Sequence, residues 1–353
     1  MVMERIREFH LFAGIGGGIY GGGLLGHKCV GAVEILPYAQ QVLNRRQEDG
    51  WMDGFPIHGD IRSLDGRDSR GGFDILCGGF PCQAFSTAAH GKNIASKNLW
   101  DEMFRFAEES NAPVVFGENV VLRAIDKAKS DLEEIGYRTE CIRLGCSDLG
   151  ANHRRNRFWL LAVKDADVFL RIFGHLSYLP LLTNGCWSEK PCESAFQVGN
   201  GTRNRKQRIT GVGNAQSPIV AAVAFRILAN RLGRKLENRS GWKVSPSEIS
   251  AVFDRRKSWI DENFKGVGFV HTPTTMANYS CPYMMRHQCC RNFVKVFGRP
   301  SPENAEYLMG FPPMASSLDS QAADSFESWR KSCLSDSARQ VERQFLISDF
   351  LDL

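Results

Sequence analysis

Short runs of apolar residues alternate with segments of helical spacing along the first 165 positions of the chain. Such runs predict buried strands, and apolar residues at intervals of three and four predict helices packed against them. Strands are predicted at residues 9–13, 29–35, a short stretch ending near 60, 73–77, 114–116, 137–144 and 157–163. Helices are predicted up to residue 26 and at residues 38–46, 98–110 and 122–135. Repeated strand–helix–strand units favour an α/β fold with a doubly wound, mostly parallel sheet.

The alternation of strand and helix signals weakens after residue 165. Residues 166–208 predict a short, loop-rich connecting segment, whereas residues 215–232 predict one strong helix. From residue 241 onward, aromatic, polar and proline residues are typical of an irregular structure. We therefore predict a main domain of residues 1–165 plus 209–235, the connecting segment of residues 166–208, and a smaller irregular domain of residues 236–353 with an acidic, helical tail.

Composition and charge narrow the class of protein. A hydrophobic content of 43% and a charged content of 24% over 353 residues are those of a soluble globular protein. We see no run of about 18 apolar residues and no leader-like start, so we expect a cytoplasmic protein without a membrane segment. Residues 203–257 hold thirteen Lys or Arg against three Asp or Glu. This basic segment is either a phosphate-contacting surface or a solvated helix face beside a loop.

The eleven cysteines match neither a disulfide framework nor a common metal-ligand spacing. Cys289 and Cys290, near Cys281 and His287, suggest a zinc site, but no C-x-x-C partner accompanies them. We therefore expect no metal and mostly buried, reduced thiols.

A glycine-rich turn, F-A-G-I-G-G-G at residues 12–18, follows the first predicted strand. Glycines let the backbone approach a ligand, and the next helix offers free N–H groups. Glu34 lies twenty residues after Gly14, placed to accept hydrogen bonds from ribose hydroxyls, and Asp60 could accept from an adenine amino group. The turn departs from G-x-G-x-x-G at Ile19, so a tight strand–helix connection without a ligand stays open.

Three further motifs carry reactive groups. Cys82 follows glycines and a proline in G-G-F-P-C-Q-A-F-S, a setting for a nucleophilic thiolate, whereas Cys77 lies in the apolar run and is expected to be inert. Glu118 ends the fifth strand, where a helix-capping role is the alternative. Arg155 and Arg157 alternate on one side of an extended chain, which suits a phosphate or a carbonyl oxygen, although a basic turn is common there.

Together these motifs resemble the C5-cytosine DNA methyltransferase family of bacterial and phage or prophage type. Residues 12–18 look like its S-adenosylmethionine loop, and G-F-P-C-Q at residues 79–83 looks like its catalytic loop. E-N-V at residues 118–120 and R-N-R at residues 155–157 match two further motifs, and G-N-A-Q-S-P at residues 213–218 resembles the last one. Five motifs in the correct order are specific, although any single one is not.

The resemblance implies a Rossmann-like fold and methyl transfer from S-adenosyl-L-methionine, leaving S-adenosyl-L-homocysteine, to carbon 5 of cytosine in double-stranded DNA. Cys82 would attack carbon 6 of a flipped-out base, and Glu118 would hydrogen-bond its N3 and amino group. Arg157 would hold the carbonyl oxygen, and Arg155 the same base or a nearby phosphate. The residues expected at the cofactor are Phe12, Gly14, Gly16, Gly17, Glu34, Ile35, Asp60, Ile61, Pro81, Leu99, Asn214 and Ala215.

Three departures from the family pattern shape the remaining expectations. His153 replaces the glutamine usual before the R-x-R arginines, and the segment that normally houses target recognition is short. Residues 271–274 and 306–313 instead resemble segments found late in some phage and prophage-type enzymes. We therefore predict that residues 236–313 supply much of the DNA recognition, in a protein more favoured as a monomer than as a dimer. A restriction–modification setting is implied by the same family.

Three rival functions stay open. The first is a DNA-binding homologue without catalysis, although both Cys82 and Glu118 are present. The second is an RNA cytosine-5 methyltransferase on the same scaffold, and the third is a nicotinamide enzyme, which would leave Cys82, Glu118 and the paired arginines unexplained.

Overall fold

A single sheet of seven strands organises the part of the chain that the structure describes. The computed structural model describes residues 5–81, 99–177, 182, 185–187, 203–237, 268–271, 282–298 and 301–334. The strands are Arg7–Leu11 (β1), Lys28–Val33 (β2), Ile57–His58 (β3), Ile75–Gly79 (β4), Val114–Asn119 (β5), Arg138–Leu144 (β6) and Arg157–Val163 (β7). Their order is β3-β2-β1-β4-β5-β7-β6. The first five pair in parallel, and β7 runs antiparallel to β5 and β6. The predicted α/β class with a mostly parallel sheet is confirmed.

The helices begin and end where the local sequence directs them. They are Gly17–Leu24 (α1), Pro37–Glu48 (α2), Trp100–Ser110 (α3), Leu122–Glu134 (α4), Ala166–Ser177 (α5), Arg205–Asn214 (α6), Pro218–Glu237 (α7), Gln288–Phe297 (α8), Pro302–Met309 (α9) and Ala323–Ser332 (α10). Pro37 occupies the first turn of α2, where its missing N–H costs nothing. The hydroxyl of Ser301 accepts from the Asn304 N–H to begin α9, and Gly310 ends that helix in the left-handed conformation.

Helices cover both faces of the sheet, as a doubly wound fold requires. Residues of α1, α2, α5 and α7 join one hydrophobic core, and those of α3 and α4 join a second core on the opposite face. Alternation along the strands sends neighbours to opposite sides, so Phe9 lies in the second core while Glu8 and His10 point towards the first face. The central strands are therefore buried on both sides, and only their ends are free to meet a ligand.

One helix lies where the sequence predicted a loop. Residues 166–177 form α5, which begins after the Asp165 carboxylate accepts from the Val168 N–H at 3.0 Å. Phe169, Ile172 and Leu176 recur at three- and four-residue spacing and are buried against the first core. The prediction of a loop-rich stretch from residue 166 was wrong here, because one apolar stripe of three residues is too short to dominate the surrounding pattern.

The described residues after 301 pack against the sheet domain. Ala305, Met309, Phe311 and Trp329 belong to the same core as α1 and α7. The ring of Tyr20 on α1 contacts the rings of Phe311, Phe326 and Trp329 at centroid distances of 5.8, 5.8 and 5.9 Å. Residues 301–334 thus share the core of the predicted main domain, although the sequence suggested a boundary at residue 236. Their part in target recognition stays a prediction.

The stretch Arg205–Gly233 is long and apolar enough to cross a membrane by length and composition alone. Its most apolar window is 78% buried inside the protein, which is the burial of a core helix.

Candidate active site

A cavity of about 640 Å³ opens at the carboxyl ends of β1, β2, β4 and β5. This is the edge at which doubly wound sheets bind their ligands, and the volume lies within the range of small-molecule sites. Ten of the twelve residues predicted at the cofactor line the cavity: Phe12, Gly14, Glu34, Ile35, Asp60, Ile61, Pro81, Leu99, Asn214 and Ala215. Glu118 and Arg157 line it as well, so the fold brings together motifs that lie far apart in the chain.

The glycine turn serves two purposes. Gly14 has φ +55° with open space where a side chain would stand, and it faces the cavity. Gly16 and Gly17, both predicted at the cofactor, do not line the cavity. A Cβ at Gly16, whose φ is +89°, would lie 2.7 Å from Met52 Cε, and one at Gly17 would lie 2.2 Å from the carbonyl oxygen of Gln216. These two glycines therefore permit close packing behind the turn, and their contact with a cofactor stays a prediction.

Glu34 is fixed at the end of β2 by two backbone N–H groups. Its Oε2 accepts from Gly14 at 2.6 Å, and its Oε1 accepts from Leu36 at 2.8 Å. Burial raises the pKa of Glu34, while the N–H groups of Leu36 and Gly14 act in the opposite direction. Each carboxylate oxygen retains a lone pair, so the group can still accept from a hydroxyl in the cavity.

Next to Glu34, the residues after β2 and β3 add one carboxylate and apolar side chains to the cavity lining. Asp60 Oδ1 accepts from the Arg62 N–H at 3.0 Å and so caps a short turn. Ile35 is 59% exposed and Ile61 is buried, and both line the cavity. The exposed Ile35 side chain can pack against the face of a flat ring, and the Asp60 carboxylate can accept a hydrogen bond from the edge of such a ring.

Glu118 lines the cavity at the end of β5, three strand positions along the sheet from β2, which Glu34 follows. Glu118 sits opposite Gly79 of β4 and Trp159 of β7 in the sheet register. Its Oε1 is 3.0 Å from Arg157 Nε, yet the atom has no aligned hydrogen bond among the described residues. Burial raises the pKa of Glu118, and the charges of Arg157 and Arg155 oppose that rise. This carboxylate is paired but keeps unused hydrogen-bonding capacity.

Arg155 does not line the cavity. Its Nη2 donates to the carbonyl oxygens of Gly213 at 2.8 Å and Ala215 at 2.6 Å. Residue 155 has φ +38° and precedes β7, so the two arginines do not alternate along an extended chain as the sequence suggested. Burial and then the charge of Arg157 lower the pKa of Arg155 to about 9. The side chain fixes the turn before α7, and its predicted contact with a base or phosphate stays a prediction.

His153 is fully buried beside the arginines. Neither ring nitrogen has a hydrogen-bond partner within the described part of the chain. Burial lowers the pKa of His153 to about 3, with the charges of Arg155 and Arg157 adding to the effect. The imidazole that replaces the usual glutamine is therefore neutral near pH 7.

Cys82 lies outside the described residues. It follows Pro81, which lines the cavity, and Gly79, three residues earlier at the end of β4, stands opposite Glu118 in the register. Cys77, by contrast, is buried within β4, and burial raises the pKa of its thiol well above the ordinary value. The expectation of an inert Cys77 therefore fits its surroundings.

Four cavity residues with polar side chains were not assigned to the site from the sequence: His10, Arg62, Asn119 and Gln216. Asn119 Nδ2 donates to the Phe80 carbonyl at 2.8 Å, which ties the end of β5 to the loop that carries Cys82. The position of Asn119 in the E-N-V motif was the one sequence feature that could have assigned it to the site. For Gln216, the sequence indicated only that it belongs to the last motif, at residues 213–218.

His10 belongs to a buried cluster beneath the glycine turn. Its Nε2 lies 2.9 Å from Glu8 Oε2, and His27 Nδ1 lies 2.7 Å from Glu8 Oε1. The donor atoms of Glu8, His10 and Cys77 lie within 4.8 Å of one another, the spacing of a potential metal site. The carboxylate is already bonded by two imidazoles, so hydrogen bonding accounts for this cluster.

The doubly wound sheet with a glycine turn and a cavity at its carboxyl edge defines a Rossmann-like α/β ligand-binding domain. The family model for C-5 cytosine-specific DNA methylases matches residues 6–179. The type II methyltransferase M.SsoII of Shigella sonnei is 30% identical over 281 residues, which cover 70% of this chain and 70% of that protein. The chain belongs to the C-5 cytosine-specific DNA methylase family, which confirms the resemblance seen in the motifs.

Other relatives match over shorter stretches. M.HhaI of Haemophilus parahaemolyticus is 30% identical over 172 residues, 46% of this chain and 50% of that protein. M.CviJI of Paramecium bursaria Chlorella virus IL3A is 30% identical over 165 residues, 45% of this chain and 43% of that protein. The chain therefore spans about half or less of the length of these two relatives.

Proposed function

We propose that this chain transfers a methyl group from S-adenosyl-L-methionine to carbon 5 of a cytosine in double-stranded DNA. The observation that carries the proposal is the single cavity that joins the glycine turn and Glu34 to Glu118 and Arg157. At one end of this cavity lie groups whose chemistry suits a nucleoside, and at the other end lie a carboxylate and a guanidinium that suit the edge of a pyrimidine.

The cavity suits the methyl donor by its chemistry. Glu34 is held with lone pairs free for ribose hydroxyls, Asp60 can accept from an adenine amino group, and Ile35 offers an apolar face to the ring. The donor supplies a methyl group on a sulfonium sulfur. The chain's own residues bind and orient it next to the half of the cavity that holds Glu118.

On the base side, the proposed nucleophile is the Cys82 thiolate. It adds to carbon 6 of cytosine, and the ring becomes an enamine whose carbon 5 can take the methyl group. Glu118 hydrogen-bonds N3 and the amino group, and Arg157 hydrogen-bonds the carbonyl oxygen, so charge that develops on the ring is stabilised. Loss of the proton from carbon 5 and expulsion of Cys82 restore the aromatic base. The base must be flipped out of the duplex to reach these groups.

We further propose that residues 236–313 supply much of the DNA recognition. The Val270 N–H donates to the Asn152 carbonyl at 2.9 Å, next to the arginine motif. The Arg154 guanidinium lies 5.3 Å from the ring centroid of Phe269, which is 45% exposed. Residues 268–298 carry three basic side chains and no acidic one. The exposed ring of Phe269 suits stacking on bases, and the exposed basic side chains suit contact with phosphates.

The recognition role is tested with Phe269→Ala. The variant is expected to keep the wild-type affinity for S-adenosyl-L-methionine and to lose preference among DNA sequence contexts. An unchanged preference would contradict the assignment of this surface.

The reaction is tested by bisulfite sequencing of DNA and RNA from cells that express the protein. We expect methylated cytosines in one short DNA context, absent with Cys82→Ser and retained with Cys141→Ser, a half-buried cysteine outside the cavity. Methylation of RNA alone would favour the RNA methyltransferase. DNA binding without methylation would favour the silent homologue, and full activity of Cys82→Ser would refute the mechanism.

A further inference from the structure

The side chain of Gln216 lies between the glycine turn and Glu118. A Cβ placed on Gly18 would stand 2.6 Å from Gln216 Oε1, so the amide oxygen touches the first turn of α1. A Cβ placed on Gly79 would stand 3.1 Å from Gln216 Nε2 and 2.9 Å from Glu118 Oε2. The amide nitrogen and the carboxylate oxygen thus meet at the end of β4, where only a glycine leaves room for both.

The backbone of Gln216 is fixed on two sides. The carbonyl of the preceding residue, Ala215, accepts from Arg155 at 2.6 Å. The carbonyl of Gln216 itself lies where Gly17 has no side chain, 2.2 Å from the position that a Cβ would take. The glycines at 17, 18 and 79 all leave room for this one residue. Such close packing holds a side chain in one orientation.

Glu118 needs a donor on the side that Gln216 occupies. Its Oε1 faces Arg157 at 3.0 Å, and its Oε2 is the atom near Gln216 Nε2. An amide nitrogen can only donate, and the carboxyl group of Glu118 can accept at this oxygen when it is ionised and also when its other oxygen is protonated, so the pair is complementary in both states. The charged side chains of the described residues that face Glu118 are Arg157 of β7 and Arg155 of the preceding turn.

We propose that Gln216 is a positioning residue, whose side-chain amide holds the Glu118 carboxylate against Arg157 in the orientation that receives the cytosine edge. This inference rests on the proposed function, because Glu118 must meet a base for its orientation to matter. Gln216 itself transfers no proton and touches no reacting atom.

The pH dependence of the reaction separates this role from a merely structural one. Burial raises the pKa of Glu118, and the Gln216 hydrogen bond lowers it because it stabilises the charged form. The proposed contact with N3 uses protonated Glu118, so the rate falls as the pH rises through the pKa of this group. Removal of the amide donor raises that pKa and moves the alkaline fall in rate to higher pH.

The test uses Gln216→Leu and the equally long Gln216→Glu in the full chain. At a pH below the alkaline fall in rate, we expect kcat to decrease about tenfold in Gln216→Leu, because one hydrogen bond no longer holds the protonated carboxyl in its orientation, with the affinity for S-adenosyl-L-methionine unchanged within about twofold. The alkaline limb should move up in Gln216→Leu and further in Gln216→Glu, where a second carboxylate faces Glu118. Carbon-13 NMR of glutamate-labelled protein, assigned with Glu118→Gln, reports the pKa of Glu118 without turnover.

The matched control is Gln47→Leu, which removes a half-buried amide that accepts from the Phe55 N–H at 2.8 Å outside the cavity. Its pH profile should equal that of the wild type. If either folded Gln216 variant keeps the wild-type kcat and Glu118 pKa, the inference is overturned while the proposed function stands. If the wild type transfers no methyl group, the proposed function fails instead, and the NMR measurement still decides whether Gln216 controls Glu118.

Discussion

Two carboxylates are buried in the same sheet and face different surroundings. Glu8 on β1 accepts from His10 and His27 at 2.9 and 2.7 Å, whereas Glu118 on β5 faces Arg157 and, among the residues that the structure describes, has no aligned hydrogen bond to its Oε1. Burial raises the pKa of both groups. In the Glu8 cluster, His27 and His10 outweigh burial and lower the pKa of Glu8 to about 2, while in Glu118 burial prevails.

The difference shows what distinguishes a stabilising carboxylate from a reactive one. Glu8 has its oxygens occupied and lies beneath the glycine turn, so it favours the folded state. Glu118 lies on the cavity wall with unused hydrogen-bonding capacity and a raised pKa. A ligand in the cavity can therefore form hydrogen bonds with this carboxyl group that the fold itself does not provide. Substitution of the two residues should therefore separate stability from rate.

The largest effect is expected for Glu118→Gln. We expect kcat/KM for methyl transfer to fall roughly a thousandfold, because one fixed group no longer stabilises charge on the base. The free energy of unfolding should stay the same or rise, because burial outweighs the attraction of the arginines and makes the ionised carboxylate unfavourable in the folded state. Steady-state kinetics and urea unfolding measure the two quantities. Glu108→Gln, on an exposed position of α3, is the control, and a large loss of stability with an intact rate would reverse the comparison.

The next effect is expected for Glu8→Gln. Two imidazoles lose their charged acceptor inside the core, which should lower the free energy of unfolding by about 3 kcal/mol. The decrease in the free energy of unfolding should be larger than the increase in the activation free energy of methyl transfer, measured per folded molecule. Urea unfolding at pH 7 provides the value, and a stability within error of the wild type would show that the Glu8 cluster does not support the fold.

Low pH should reveal the stabilising role of Glu8 in a second way. The folded pKa of Glu8 is lowered from 4.5 to about 2, so its contribution is fully present above the unfolded value and is lost as the pH falls towards 2. At pH 3 the wild type should have lost about 2 kcal/mol relative to pH 6 through this group. The measurement is the pH dependence of unfolding in the wild type minus that in Glu8→Gln. Parallel curves for the two proteins would contradict the assignment.

The smallest effect is expected for His153→Met. The neutral imidazole has two ring nitrogens without hydrogen-bond partners in the described structure, so an apolar replacement of similar length loses no bond. We expect the free energy of unfolding to change by less than about 1 kcal/mol, towards greater stability. Thermal unfolding reports the change, and destabilisation by several kcal/mol would mean that the imidazole makes a contact of its own.

Much of the sheet could be predicted because each strand is encoded locally. V-V-F at residues 114–116 and F-W-L-L-A-V at residues 158–163 are continuous apolar runs, and such runs in repeated units leave few arrangements other than a doubly wound sheet. The helix Ala166–Ser177 escaped prediction because only three buried residues mark it. The place of residues 301–334 in the main core escaped as well, because a contact such as Tyr20 to Trp329 joins positions about 300 residues apart in the chain.

The sequence by itself determined which chemical groups are present and in which order: the glycine turn, the thiol and the carboxylates at or after the ends of predicted strands, and the arginines at the start of one. Only the tertiary structure decided which of them face the cavity. Arg155 turns to two carbonyl oxygens, Gly16 and Gly17 serve packing, and Gln216 reaches Glu118. The physical reason is that motif spacing fixes a residue along its own strand, whereas side-chain direction and pairing depend on neighbours brought from distant parts of the chain.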